Sequence, residues 1–462
     1  METPECPGCK KRDERIASLE AEVAELTRKL DELMRRLPPP PARPQQRYPK
    51  APAKKPTKKK PGGQSGHPPH LKQMAPPERV NQTFVFVPKC CSKCQSALPQ
   101  QASPQDPPPT RFQVAELPEM AANITEYQGH ARRCPHCSET TREHIPAELC
   151  NTSVGPRYSA TLSYLAGAHG VSKRGLEEVS EAIFDAPLSL GTVSNLEQEM
   201  TKALERPYDQ ATDAVRQAAV KNADETGWKQ AGQKRWLWVV ASTQAAVFLI
   251  HKLRTPTPLI RLLGKTLIGV LGSDRWHAYT VYDLENRQIC WAHIKRNFEK
   301  LAERGGPAKT IAQAALHVQR RVFELWHLFR GGGCNREELI DRIEALEVEM
   351  IRILSSGGHG KDKKTARFCK RIYKVQDALW TFARVEGVEP TNNHAERVQR
   401  LAVLWRRRSF GCHSAMGCRF VERLLTVVQT LRLQKRSVLD YLAAALSAHR
   451  DKRPIPQLMQ MS

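Results

Sequence analysis

The sequence predicts a multidomain chain: an N-terminal coiled coil, a small cysteine-rich domain, a helical segment, and a mixed α/β core interrupted by a helical insertion. Three observations carry this. Apolar residues recur at steps of three and four from Ile16 to Leu37. Two Cys-x-x-Cys pairs flank a proline-rich stretch. Between Val220 and Ile289, short apolar runs bounded by glycine replace the helical period.

The totals bound the partners. The 462 residues allow about three domains at ~150 residues each. Lys and Arg number 72 against 48 Asp and Glu, a formal net charge of +24. Such an excess fits a polyanionic partner, most simply nucleic acid, although a generally basic surface is the plainer alternative. Met1 to Cys6 lacks the apolar segment of a secretory signal. No run reaches the ~18 apolar residues of a membrane span; Trp236 to Ile250 comes nearest, and Ser242, Thr243 and Gln244 interrupt it. The expectation is a reducing, cytoplasmic compartment without a membrane partner, in which Cys-x-x-Cys pairs bind metal rather than form disulfides.

In chain order, the first 37 residues carry the stripe Ile16, Leu19, Val23, Leu26, Leu30, Leu33, Leu37. This is coiled-coil spacing over about three heptads, the lower limit for a dimer seam. A helix packed on its own domain is the other reading. Cys6 and Cys9 precede it, and a parallel pair of chains would bring four thiols together. Residues 38–80 are rich in Pro, Lys and Gly, with Lys58, Lys59 and Lys60 at their centre. No core forms from that composition, so this is a basic linker whose lysines can neutralise phosphates.

Residues 81–150 read as a zinc-binding domain. Cys91-Ser92-Lys93-Cys94 and Cys134-Pro135-His136-Cys137 each put two thiolates on one tight turn, and two such turns complete a tetrahedron around one structural Zn²⁺. The gap of about forty residues exceeds the usual spacing, and Cys90 is an alternative to Cys91. Residues 151–212 read as helices. The turn Asp185-Ala186-Pro187 ahead of Leu190 to Leu196 suits a helix-turn-helix that binds DNA, and equally a plain bundle.

Residues 213–300 and 389–450 form the core, with a helical insertion at 301–388. Strands are expected ending at Asp224 to Trp228, at Trp236 to Val240, at Ala246 to Ile250, at Leu267 to Leu271 and at Arg287 to Cys290. A hairpin turn is expected at Gln230 to Gln233. Three antiparallel strands followed by two strands with helices is the order of a ribonuclease-H-like fold. It sets the first and fourth strands side by side, so Asp224 and Asp274 can converge. In the insertion, Leu339, Ile343, Leu346 and Met350 mark one helix face, and Ser355 to Gly360 mark its end. Each acid also has a plainer reading. Asp274 could cap a helix starting at Arg275, and Asn393 with Glu396 matches a capping box. Arg397, Arg400, Arg406, Arg407 and Arg408, with Trp405 and Phe410, make a basic and aromatic stretch suited to a DNA backbone.

The chain resembles the DDE transposases of the insertion-sequence-66 family. The resemblance rests on Asp224-Glu225-Thr226, Ser273 to Tyr279, Cys290 to Arg296, Pro390 to Arg397, Gly62 to His67, Ser409-Phe410-Gly411 and the cysteine knuckles. It covers nearly the whole chain; Trp276 stands where the family pattern has Tyr. The resemblance implies a bacterial, nucleoid-associated protein that binds the terminal inverted repeats of an insertion sequence. It implies DNA transposition by strand cleavage and strand transfer, with two Mg²⁺ ions on Asp224, Asp274 and Glu396. Element ends and target DNA are the implied partners, with a homodimer or larger assembly through the coil and helper proteins encoded by the element. Cys290, His293 and Arg296 belong to a further family motif without a defined role. Two other readings remain open at this point: a DNA-binding regulator with an inactive core, and a ribonuclease-H-like RNA nuclease.

Overall fold

The computed structural model describes residues 74–460, apart from 100, 102 and 151, and scattered residues between 15 and 32. Cys6, Cys9, the stripe positions Ile16, Val23, Leu30, Leu33 and Leu37, and Lys58, Lys59 and Lys60 lie outside the described residues. The described residues of the expected coil are helical, and its Leu19 and Leu26 are exposed. The chain forms two compact units, 1–116 and 117–462. Among the described residues no helix is long and apolar enough to cross a membrane.

The second unit centres on a five-stranded mixed sheet. Its strands are β3 (Val220–Gln230), β4 (Gln233–Ala241), β5 (Ala246–His251), β6 (Val270–Ser273) and β7 (Arg287–Ile289). A separate small hairpin precedes them, β1 (Ala131–Arg133) with β2 (Thr140–Arg142). The order across the sheet is β5-β4-β3-β6-β7. The β3–β4 and β4–β5 pairs are antiparallel; β3–β6 and β6–β7 are parallel. This is the strand order expected from the sequence, and it agrees with a ribonuclease-H-like core. The β3–β4 turn has positive φ at both Ala231 (47°) and Gly232 (76°), the type I′ geometry whose twist matches two-residue hairpins. The fourth strand differs from expectation: it begins at Val270 rather than Leu267. Gly269 ends the preceding turn at φ 69°, and a Cβ there would sit 2.1 Å from the Ala219 carbonyl oxygen, so the ladder can start only after it.

Helices flank the sheet. Ahead of it come α1 (Pro156–His169), α2 (Lys173–Ala182), α3 (Leu190–Ala203) and α4 (Glu205–Gln217). Within the core are α5 (Pro256–Leu263) and α6 (Trp291–Ala302), and the insertion adds α7 (Gly306–Arg330), α8 (Arg336–His359) and α9 (Lys363–Tyr373). The chain closes with α10 (Asn393–Ser409), α11 (Ala415–Leu433) and α12 (Val438–Arg450). Ser172 and Ser189 cap α2 and α3, accepting from Gly175 N at 3.0 Å and Thr192 N at 3.2 Å. These helices share a core with the C-terminal ones: Leu162, Leu176 and Leu196 are buried with Leu424, Val428 and Leu442. In α8, Leu339, Ile343, Leu346 and Met350 are all buried, as their spacing predicts. The helix ends at His359, within the expected Ser355 to Gly360 stretch, and Ser355 to Gly358 form part of its last turns. Gly357 faces Cys369 of α9, where a Cβ would lie 2.5 Å from Sγ. The small residues also serve close helix packing.

Polar residues four apart on α11 close the open edge of the sheet. Glu422 Oε1, Thr426 Oγ1 and Thr430 Oγ1 accept from the backbone N–H groups of Ile250 (2.6 Å), Phe248 (3.0 Å) and Ala246 (3.1 Å) on β5. An uncovered edge strand would leave these donors free for another chain. Thr426→Val keeps the shape but leaves the Phe248 N–H buried without a partner. The variant should lose about 1–3 kcal/mol of stability, read as a lower urea midpoint with an unchanged slope; an unchanged midpoint would contradict this account.

Candidate active site

Strand register brings the first two acids together. Asn222 of β3 pairs with Gly272 of β6, so two residues further along Asp224 comes abreast of Asp274 on the same face. Asp274 leaves the ladder at the C-terminal end of β6. Gly272 leaves room for the Asn222 side chain, because a Cβ there would lie 2.3 Å from Asn222 Nδ2 and displace it. Asp224 also shares a face with Val239 and Phe248 through the ladder. Those two residues pack against Ala395, Val398 and Ala402 of α10. Asp224 therefore looks toward the helix that carries Glu396.

Electrostatics report the convergence. Burial and the neighbouring Glu225 carboxylate push the Asp224 carboxyl up to about 7, with Asp274 and Glu396 adding to the rise. Burial and then Arg296 lower the proton affinity of His293 of α6, against smaller rises from Asp274 and Glu396. Its Nδ1 is 3.9 Å from Glu396 Oε1 and is buried with no hydrogen-bond partner. Among the described residues no three His, Cys, Asp or Glu side chains already stand close enough to enclose a metal ion. Carboxylate oxygens such as those of Asp224 and Asp274 are the donors that hard divalent cations take.

Neither plainer reading of the acids holds in full. Asp274 Oδ1 does accept from Trp276 N at 2.8 Å. No helix starts at Arg275, however; a 3₁₀ turn starts at His277. The capping box at Glu396 is absent, because α10 starts at Asn393 itself and Asn392 stands at the cap position without capping it. The buried Asn392 side chain turns instead to the sheet. It donates to Ala223 O at 2.7 Å and accepts from Asn222 Nδ2 at 3.0 Å. Its backbone N–H donates to Cys290 Sγ at 3.2 Å. Cys290 is thus a buried brace for the start of α10, and Arg296 reaches only the Ala292 carbonyl at 3.4 Å. Sequence reasoning missed Asn392; its one signal was the doubled Asn392-Asn393 ahead of an acid-bearing helix.

Glu225, also missed, points to the opposite face. Its carboxylate is held by Arg254, at 2.6 Å from Nη2 and 2.9 Å from Nε, and by the Tyr279 hydroxyl. Arg254 in turn lies 3.9 Å from the centroid of the Trp276 ring. The arginine stretch divides. Arg397, Arg400 and Arg407 are exposed. Arg406 is not free for a partner: its Nη1 donates to Thr226 Oγ1 at 2.8 Å and Gly227 O at 2.5 Å, clasping α10 to β3. Trp405 packs into the helical core rather than facing outward.

The two cysteine knuckles share one local geometry. Cys91 O accepts from Gln95 N at 2.9 Å and Cys134 O from Ser138 N at 3.0 Å. Gln95 and Ser138 both have φ near 60° (60° and 62°). Hydrogen bonding with Ser96 lowers the Cys94 thiol to about 7, and the backbone N–H of Cys137 lowers Cys134.

The profile of the Transposase IS66 family matches residues 151–419. The chain belongs to the IS66 family of transposases. The match spans the five-stranded sheet, the three acids and the helices α1 to α10. Over 196 residues the chain is 28% identical to the uncharacterized protein y4qI of Sinorhizobium fredii (strain NBRC 101917 / NGR234), across 39% of this chain and 35% of that protein. It thus spans about a third of that relative's length.

Proposed function

We propose that the chain catalyses DNA transposition, cutting at the ends of an insertion sequence and joining the freed strand to target DNA. The observation that supports this reading is the β3–β6 register that sets Asp224 abreast of Asp274, on the sheet face against which the helix carrying Glu396 packs, in a chain of this family. The three carboxylates would hold two Mg²⁺ ions. Bound there, such ions stabilise the attacking and leaving oxygens of an in-line phosphoryl displacement. The residues of the chain do the rest. Asn392 and Cys290 fix the start of α10 and with it Glu396. His293, held neutral by burial and Arg296, adds no positive charge beside Glu396. Arg397, Arg400 and Arg407 contact the DNA backbone, and the helices of residues 151–212 contribute to end binding. The arm with Lys58, Lys59 and Lys60 supplies further phosphate contacts, and the N-terminal helix dimerises the chain. The knuckles of Cys91 with Cys94 and of Cys134 with Cys137 each offer a pair of thiolates to structural Zn²⁺: the tight turns and lowered thiols favour thiolate.

The test is Mg²⁺-dependent cleavage of labelled DNA carrying the element's own ends, comparing the chain with Glu396→Ala. Release of 3′-hydroxyl ends by the unaltered chain alone is the expected result. End binding without cleavage by both proteins would leave a binding module and overturn the catalytic reading.

A further inference from the structure

A cleft of about 470 Å³ opens between α6, α7 and the start of α10. Two of its lining residues adjoin the acidic site in the chain: Ala292 precedes His293, and Asn393 lies one turn before Glu396. One wall is a single face of α7, because Arg320, Phe323, Glu324 and His327 follow at i, i+3, i+4 and i+7. The opposite face of α7 holds the buried Ala312, Ala315, Val318 and Val322. Lys295 of α6 supplies a second cation, leaning on Glu299 at 3.9 Å. The Phe323 and His327 rings meet edge to face with centroids 6.2 Å apart.

This lining selects among ligands. A purely apolar guest would leave Lys295 and Arg320 unused, and a bare anion would leave the Phe323 ring unused. A nucleotide uses both: phosphate on the two cations, base against the rings. Glu324 is then an acceptor for an exocyclic amine of the base. The volume falls in the range of ~300–1,000 Å³ typical of small-ligand sites.

We propose that the cleft receives one unstacked nucleotide of the DNA next to the strand being cut, with its phosphate on Lys295 and Arg320 and its base on Phe323 and His327. The inference rests on the proposed function, since it needs DNA at the acidic site. It adds a base-binding pocket that would fix the register of the DNA at the cut.

The experiment measures affinity of the full chain for end DNA in which each base near the cut is removed in turn. The unaltered chain should lose affinity at one position, by about 5- to 150-fold, the range for losing one base–aromatic stack. Phe323→Leu should bind intact DNA as weakly as the unaltered chain binds that abasic DNA, and should lose nothing more at that position. Arg320→Gln should weaken both DNAs alike. Phe323→Leu should melt within a few degrees of the unaltered chain; if it does not, Arg320→Gln and His327→Ala carry the same comparison. A flat abasic scan, or a loss that survives both Phe323→Leu and His327→Ala, overturns the pocket while Mg²⁺-dependent cleavage leaves the proposed function standing. Failure to bind or cut end DNA at all overturns both.

Discussion

Asp224→Asn will abolish end cleavage while leaving end binding within a few-fold of the unaltered chain. Asparagine keeps the size of the side chain and the oxygen that accepts from the Glu225 N–H at 2.9 Å. It removes the charge that a divalent cation needs. The loss should be on the order of a thousandfold or more, about 4 kcal/mol of transition-state stabilisation at ~1.4 kcal/mol per decade. A stability effect of opposite direction should accompany it. The carboxyl is raised to about 7 in the folded chain from 3.8 for an ordinary aspartate. Between those values the folded chain holds a proton that the unfolded chain has lost. Stability therefore falls as pH rises through that window, and the loss is complete above about 7. In metal-free buffer at pH 8, Asp224→Asn should melt higher than the unaltered chain. Mg²⁺ should raise the melting temperature of the unaltered chain and leave that of the variant nearly unchanged. Cleavage by the variant at a comparable rate would remove Asp224 from the catalytic set.

Asn392→Ala should lower both stability and cleavage. It deletes the bond to Ala223 O and the one from Asn222 Nδ2, and it leaves both of those groups facing a gap. Each stranded polar group costs about 1–3 kcal/mol, so the sum is about 2–4 kcal/mol given that Asn222 is only half-buried. The same change frees the start of α10, three residues ahead of Glu396. A shift of about 1 Å at a reacting group can cost ~100-fold in rate, so cleavage should fall further than stability alone explains. Asn222→Ala strands only the Asn392 oxygen and should cost about half as much. Urea denaturation and a cleavage time course on the same preparations separate the two effects. Stability and cleavage both at the level of the unaltered chain would mean that α10 is held by its apolar face alone.

Much of this could be read from residue order. The apolar runs around Val239, Phe248 and Leu271 announce strands because each is a short fully buried segment bounded by turn residues. Their order with the intervening helices fixes which strands can neighbour. Asp224, Asp274 and Glu396 stood out because they lie in long motifs, and the helix face of Leu339, Ile343, Leu346 and Met350 because burial on a helix imposes its period.

What only the tertiary structure decided depends on groups far apart in sequence. No local pattern says that Asn392 turns away from its own helix to bond Ala223, because that choice is made by the buried carbonyl awaiting a donor. Nor does one say that Arg406 is consumed by Thr226 and Gly227, or that Thr426 and Thr430 close the edge of β5. A polar side chain in sequence carries only its capacity to bond. The sequence by itself determined the strand order and the residues able to do the chemistry. Folding determined the partners, since an unsatisfied polar group once buried must find one wherever the chain supplies it.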